Sequence, residues 1–530
     1  MQINGFSYTS LTTTPSNTAG ASSVGANLGN ANAGANSVNE QSVAQDSCQL
    51  SAKANADSAS GIGKAEPGQD IRRLRILHLN DLHGAALPEE GRGGLAQVAA
   101  VVKREKAEVP EGSLVLNAGD IAEGTMVSYL SKGSIVSESL AQMGCDAIEP
   151  GNHDFAWGQP TMRSMLGQVN APIVCANLEQ AAGHEFAQPY VIREVNGVKV
   201  GILGLSTDVS NFTTDDKIEG LQYKDPIETA RQYIPQMKKD GAEVVIALSH
   251  IGVEQDRLLA KTCPELDVIV GGHTHTELPE GEYVGSTLIV QSGYKGQFVG
   301  EVDLDFDMTT RQISSAQAEL IKVDSTTIEP DPDVAQIVEK YVNSSNELAH
   351  QPMGQALETL TYSHSECAKL DQIHADSLRQ AMGATIGLVN GRNLRANVEA
   401  GTVTYEDLFN ALPHTEDDAV LMKLPGSLLK EALEKRVASR IVPASPSGFS
   451  YTYDLSKPEG ERITSITMDD GSKFDPNKMY DLATSVSLSD KKMFDNCEKK
   501  PMGSAQEIFM DYFKANSPWR NDPDARVTKL

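Results

Sequence analysis

Gly151-Asn152-His153-Asp154 decides how this chain is read. Three polar side chains in succession after a glycine are poor core material, because burial leaves their donors and acceptors unpaired. They suit a tight turn that delivers polar groups into a metal site. Four other stretches share that character: Asp81-Leu82-His83, Gly119-Asp120, Ser249-His250-Ile251-Gly252 and Gly272-His273-Thr274-His275.

Outward from the turn, apolar runs alternate with helical patterns. Leu74 to Leu79 and Leu114 to Leu116 read as strands, the first ending at Asn80-Asp81 and the second at Gly119-Asp120. Between them Leu95, Val98, Ala99 and Val102 share one face of a helix. Residues 134 to 143 form a second helical pattern just before the turn. Beyond it, Ile173 to Ala176, Val198 to Leu205, Val244 to Leu248, Val268 to Val270, Leu288 to Gln291 and Val299 to Phe306 are strand-like. Residues 225 to 240 look helical, with Pro235 expected to kink or break them. Strands alternating with helices predict an α/β layered domain. Most of the polar stretches fall where a strand ends, and open α/β sheets bind ligands beyond their strand carboxyl ends.

Near 325 to 332 the pattern breaks at Ser-Thr-Thr-Ile-Glu-Pro-Asp-Pro, a domain boundary. The expected organisation is a tail over 1–70, an α/β domain over 71–325, a linker helix within 326–354 and a second α/β domain over 355–530. In the last, helices are expected near 371 to 382, 429 to 437 and 504 to 516. Strands are expected near 385 to 389, 450 to 454, 463 to 468 and 480 to 488.

Composition sets limits. At 530 residues the chain is too long for one core, and 40% hydrophobic residues suffice for packed domains. A formal net charge of -27 argues against gripping a nucleic-acid backbone, which needs a basic face. Small phosphorylated molecules stay open to an acidic protein whose metal ions supply the local positive charge. The six cysteines form no C-x-x-C pair, so neither a zinc knuckle nor a disulfide scaffold is indicated. No apolar run approaches the ~18 residues of a membrane span. Residues 1 to 70 are rich in Ser, Thr, Asn, Ala and Gly and have no basic start followed by an apolar core. Disorder is expected there. This start resembles the non-cleaved export signals of bacterial type III injection systems, so secretion through an export machinery is the expectation, with cytoplasmic residence as the alternative.

Each polar stretch alone is weak, since a Gly-Asp turn or a His-rich loop is usually structural. Their conjunction is stronger. Asp81, Asp120, Asn152, His250 and His273 are separated by 39, 32, 98 and 23 residues, so only a tertiary fold can unite them. With His83 and His275 they supply two Asp, one Asn and four His, a mixed shell that suits Mn²⁺, Zn²⁺ or Fe²⁺ better than Ca²⁺. A carboxylate such as Asp120 can bridge two ions about 3.5–4 Å apart.

In full and in order, these motifs are similar to those of the calcineurin-like metallophosphoesterases. Leu79-Asn80-Asp81-Leu82-His83-Gly84 and Gly151-Asn152-His153-Asp154-Phe155 resemble the 5′-nucleotidase branch, and the resemblance extends over roughly residues 73 to 530. It implies a four-layer α/β sandwich followed by an α/β substrate domain. It also implies two divalent ions, one held by Asp81, His83, Asp120 and His275, the other by Asp120, Asn152, His250 and His273. A hydroxide bridging them would attack phosphorus, His153 would serve the leaving oxygen, and Asp154 would orient His153. The implied substrate is a phosphate ester, a nucleotide above all.

The second half departs from that pattern. The family's Asn-Gly-Gly-Gly-Ile-Arg loop is here Asn390-Gly391-Arg392-Asn393-Leu394-Arg395: Asn390 and Arg395 match, while Arg392 stands where a glycine is usual. Arg392 is either a phosphate contact or a solvated charge. The family's Leu-Pro-Phe, whose ring stacks a base, is here Leu412-Pro413-His414. The substrate therefore stays open between a nucleotide, another phosphorylated small molecule and a sulfur ester. A secreted effector that keeps the scaffold for partner binding is a further alternative.

Overall fold

Period-two alternation organises the first strand. Within Ile71–Leu79, Leu74 and Ile76 face one side and Leu77 and Leu79 the other, and all four are buried. A strand apolar on both faces must lie between two layers. The computed structural model describes residues 70–530 except 90, 181–183, 214–216, 364–365, 392, 414–416, 439–442 and 490–491. The expected tail therefore lies outside the described residues.

Ile71–Leu79 runs parallel to Ser113–Asn117, which runs parallel to Ala147–Ile148. On its other side it pairs antiparallel with Phe298–Asp307, and Gln312–Lys322 closes that edge. A second, six-stranded sheet has the order Glu282–Val284, Thr287–Val290, Val268–Val270, Val244–His250, Val198–Ser206, Tyr190–Val195, and its four inner strands are parallel. Leu74, Ile76, Leu114 and Leu116 of the first sheet pack against Val200, Ile202, Val244 and Ile246 of the second. The alternate residues serve the outer faces. Leu77, Leu79 and Val115 meet the helices Leu95–Glu108 and Ser134–Met143. Val245, Ala247 and Ile269 meet the helices Pro226–Lys239 and Val253–Thr262. The result is the expected helix–sheet–sheet–helix sandwich of four layers.

Among the segments that differ from expectation are these three. Ile173 and Val174 make isolated bridges to Ile148 and Gln188, and Ala176 N donates to Gly204 O at 2.9 Å, so this segment splices the sheets instead of joining one. Pro235 lies inside an unbroken helix on its exposed face, where water can satisfy the carbonyl that loses its partner. Gln312–Lys322 was not expected as a strand. It is an edge strand carrying Ser, Gln, Glu and Lys, and its partner strand supplies what its own apolar pattern lacks.

The helix Pro332–Ala349 buries Val334 and Val338 beneath the first-half helices. A five-stranded sheet follows, in the order Ser445–Ser447, Ile386–Val389, Met479–Ser485, Asp418–Pro425, Glu498–Ser504. The strand expected over 480 to 488 ends at Ser485, where the short helix Val486–Ser489 begins. The two halves meet where Tyr129 packs into the core of Phe409, Leu412 and Phe509 and donates to Glu507 at 3.1 Å. Lys217 pairs with Asp418 across the same seam at 2.6 Å. The cysteines Cys145, Cys175, Cys263, Cys367 and Cys497 are free.

Candidate metal centre

The turn at Gly151 exists because two backbones nearly touch. Gly119 has φ +83°, and a Cβ on it would sit 2.4 Å from Gly151 N. A Cβ on Gly151 would sit 2.2 Å from Asp120 Oδ1. Only glycine permits that approach. Asp154, fully buried, ties the two turns together. Its carboxylate accepts from Asp120 N at 3.0 Å, Ile121 N at 3.0 Å and Gly151 N at 2.9 Å. Burial, and then the charge of Asp120, pushes the Asp154 carboxyl up to about 7, against the lowering effect of the backbone donors.

Every expected metal ligand lies at or just past a strand carboxyl end, and they converge. Ligand atoms of Asp81, His83 and His275 lie within 4.8 Å of one another, and so do those of Asp120, His250 and His273. A third group joins His83, Asp120 and His153. Asn152 completes the gathering, with its Oδ1 2.9 Å from His273 Nδ1. Asp81 is braced by Asn80, whose Nδ2 donates to Asp81 Oδ2 at 2.7 Å while its Oδ1 accepts from Ser292 N at 2.8 Å. His273 N donates to Asp81 Oδ2 at 3.0 Å.

The ring nitrogens are arranged to bind cations. His250 Nδ1 lies 2.6 Å from Ala118 O and His83 Nδ1 lies 3.1 Å from Glu123 O, contacts that place the proton on Nδ1 in a neutral ring and turn the Nε2 lone pair inward. His83 Nε2 is 3.0 Å from His275 Nε2. His250 Nε2 is buried 3.1 Å from Asp120 Oδ2. Burial, and then the proximity of His250, pushes His273 down to about 4, the neutral form a metal requires. Burial would also lower His250, but Asp120 outweighs it and holds His250 well above the usual imidazole range. Burial would raise Asp120, yet His250 and His153 hold it well below the carboxylate range. The inward His250 Nε2 beside Asp120, the clustered carboxylates and the mutually close imidazoles fit a pair of divalent cations.

His153 requires a correction. The sequence puts Asp154 behind its ring, but in the turn successive side chains diverge, and the Asp154 carboxylate is spent on the three backbone N–H groups. The carboxylate beside His153 belongs to Glu123, with Oε2 2.8 Å from Nδ1. Glu123 is buried, while the His153 side chain is 30% exposed toward solvent. Sequence reasoning missed Glu123. Its one signal was an acidic residue directly after the apolar Ile121-Ala122, past a strand end.

Of the expected substrate residues, Arg392 and His414 lie outside the described residues. Asn390 is half-buried and Arg395 exposed, and Arg395 N donates to Ala411 O at 2.9 Å. Asn393, one of the lost glycines, points inward and donates to Asp417. Asp417 also accepts from Ser487 N at 2.8 Å, so one carboxylate fastens the loop after Val389 and the short helix Val486–Ser489 to the start of the strand Asp418–Pro425. Asp417 too was missed.

Residues 74–277 match the family described as calcineurin-like phosphoesterase, and residues 348–492 match the 5′-nucleotidase, C-terminal domain. The chain is 30% identical over 474 residues to endonuclease YhcR of Bacillus subtilis (strain 168), covering 82% of this chain but only 38% of that protein's length. It is 26% identical over 479 residues to the 5′-nucleotidase of Homo sapiens, covering 79% of this chain and 82% of that one. The crystal structure of the 5′-nucleotidase precursor from Thermus thermophilus shares the fold with a TM-score of 0.63 at 23% identity, over 87% of this chain and 99% of that one. With both family regions matched in tandem, the chain belongs to the 5′-nucleotidase family of calcineurin-like phosphoesterases.

Proposed function

We propose that this chain is a two-metal hydrolase of phosphate esters that dephosphorylates nucleotides. The observation that carries the reading is Asp120, set between the Asp81/His83/His275 group and the His250/His273 group. On this reading Asp81, His83, Asp120 and His275 hold one divalent ion, and Asp120, Asn152, His250 and His273 hold the second, with Mn²⁺, Zn²⁺ or Fe²⁺ suited to such donors. The ions supply an activated water at neutral pH and neutralise charge on the phosphoryl oxygens. His153 gives a proton to the leaving oxygen. Glu123 fixes the His153 ring through Nδ1 and stabilises positive charge on it as His153 serves the leaving oxygen. Asp154 holds the backbone of the turn. Relatives named 5′-nucleotidase support nucleotides as the substrate class, and Asn390, Arg392, Arg395 and His414 are the residues assigned to substrate in the region over 355–530. Residues 1 to 70 are assigned to export, and a chain lacking them is expected to keep its turnover.

A Mn²⁺-supplemented panel of AMP, ADP, ATP, cyclic nucleotides, nucleotide sugars, an aryl phosphate and a single-stranded oligonucleotide tests the reading in wild type and Asn152→Ala. Nucleotide cleavage that is lost in Asn152→Ala is the expected result. Cleavage of the aryl phosphate without any nucleotide removes the nucleotidase reading, and full activity in Asn152→Ala removes the metal assignment.

A further inference from the structure

We propose that Phe212 is a stacking platform for the planar ring of the leaving group, a nucleobase or an aryl ring, built on the first half of the chain beside the metal centre. This rests on the phosphoesterase reading above. Phe212 is 39% exposed, although it is among the most apolar side chains in the protein. Its ring meets that of His273 with centroids 5.2 Å apart and planes at 83°. An edge-to-face contact occupies at most one face of the phenyl and leaves the rest open to a ligand. A phenyl ring has no part in holding cations, so its place beside a histidine of the centre calls for another role.

The backbone beneath Phe212 is fixed. It leaves the carboxyl end of the strand Val198–Ser206, the edge on which the metal residues converge. Asp208 caps the turn Val209–Asn211, Val209 is buried in the core, and Phe212 N donates to Val209 O at 3.1 Å. The ring is thus held at the surface by a buried anchor, at little ordering cost on binding. Further along the same loop, Lys217 O accepts from Gln159 N at 3.1 Å, in the helix that follows the His153 turn, and Lys217 pairs with Asp418 of the second half. Lys217 thus ties the helix after the His153 turn to the second half. A phosphoryl group at the centre would have this exposed aromatic face beside His273 within its surroundings, where a flat leaving group gains from stacking.

The test is Phe212→Ala and Phe212→Trp in the full chain with saturating Mn²⁺, read on AMP, an aryl phosphate and glycerol phosphate. Phe212→Ala is expected to raise KM about tenfold for ring-bearing esters, the loss of one stacking contact. Glycerol phosphate turnover is expected to be unchanged, and Phe212→Trp is expected to restore the KM. A response of AMP alone assigns the nucleobase, and a response of the aryl ester alone assigns a simpler arene. Equal loss on glycerol phosphate, or a raised Mn²⁺ requirement, would mean that Phe212 only packs His273 and overturns the proposal. Adenosine binding to the Mn²⁺-loaded protein, measured by calorimetry, reads the platform without turnover. Adenosine binding weakened by Phe212→Ala supports the platform, and binding left unchanged or not detected overturns it. Failure of wild type to cleave any ester refutes the hydrolase reading separately.

Discussion

Replacing Glu123 by Gln tests the chemistry most directly. The substitution keeps the shape of a buried side chain and removes the charge 2.8 Å from His153 Nδ1. A hydrogen bond to a charged group contributes about 1.5–3 kcal/mol. At about 1.4 kcal/mol per factor of ten, that is roughly a ten- to hundredfold loss wherever the His153 proton matters. The contact of Glu123 with His83 runs through its backbone carbonyl, which the substitution keeps. The assay compares kcat for AMP, whose alkoxide needs a proton to depart, with kcat for 4-nitrophenyl phosphate, whose phenolate does not. AMP turnover is expected to fall by that factor with KM unchanged, while aryl ester turnover moves little. An equal fall on both esters, or a shifted Mn²⁺ requirement, would refute the reasoning, because Glu123 would then be supporting the metal turn and not the proton donor.

Asp154→Ala is expected to act on stability instead, since it strands three buried N–H groups at roughly 1–3 kcal/mol each, and urea unfolding that matches wild type would contradict this. Asp417→Ala releases the segments it fastens and is expected to raise KM for nucleotides about tenfold without changing aryl phosphate kcat; an unchanged KM would separate those segments from the substrate. Burial pushes His78 down to about 3. The unfolded chain therefore takes up the proton first, so this contribution is complete above pH 6.5 and is lost as pH falls toward 3. The stability gap between wild type and His78→Leu is expected to shift by about 2 kcal/mol against wild type from pH 7.5 to 5, and a constant gap in urea titrations would refute it.

The layered fold was legible because its strands are apolar on both faces and stop at polar punctuation, which also marks where the seven expected ligands meet. Neighbour relations inside the centre were not legible. Asp154 follows His153 in the chain, yet a turn sends adjacent side chains apart, and Glu123 reaches the ring from another strand end. No periodicity announces such a partner. Asn393 was read against a family glycine, and nothing in one sequence tells that its amide turns inward to Asp417. Gln312–Lys322 escaped notice because an edge strand does not need the apolar alternation that a buried one shows.

The backbone itself argues that the centre is built for something the protein's own groups do not provide. Ten described non-glycine residues have positive φ, and five of them are Asp81, His83, Asp120, His273 and His275. Each costs about 1 kcal/mol relative to a right-handed conformation, so together they cost about 5 kcal/mol, the lower end of the ~5–15 kcal/mol stability of a typical domain. Strain of that size persists only where the surroundings overdetermine it. Here they do: Asn80 and His273 N brace Asp81, Asp154 braces the backbone of Asp120, and Ala118 O sets His250 opposite. The braces gather two carboxylates and several imidazole nitrogens whose lone pairs face one another. Divalent cations would satisfy those lone pairs and carboxylates together, so the same geometry that strains the backbone fits a site preorganised for ions.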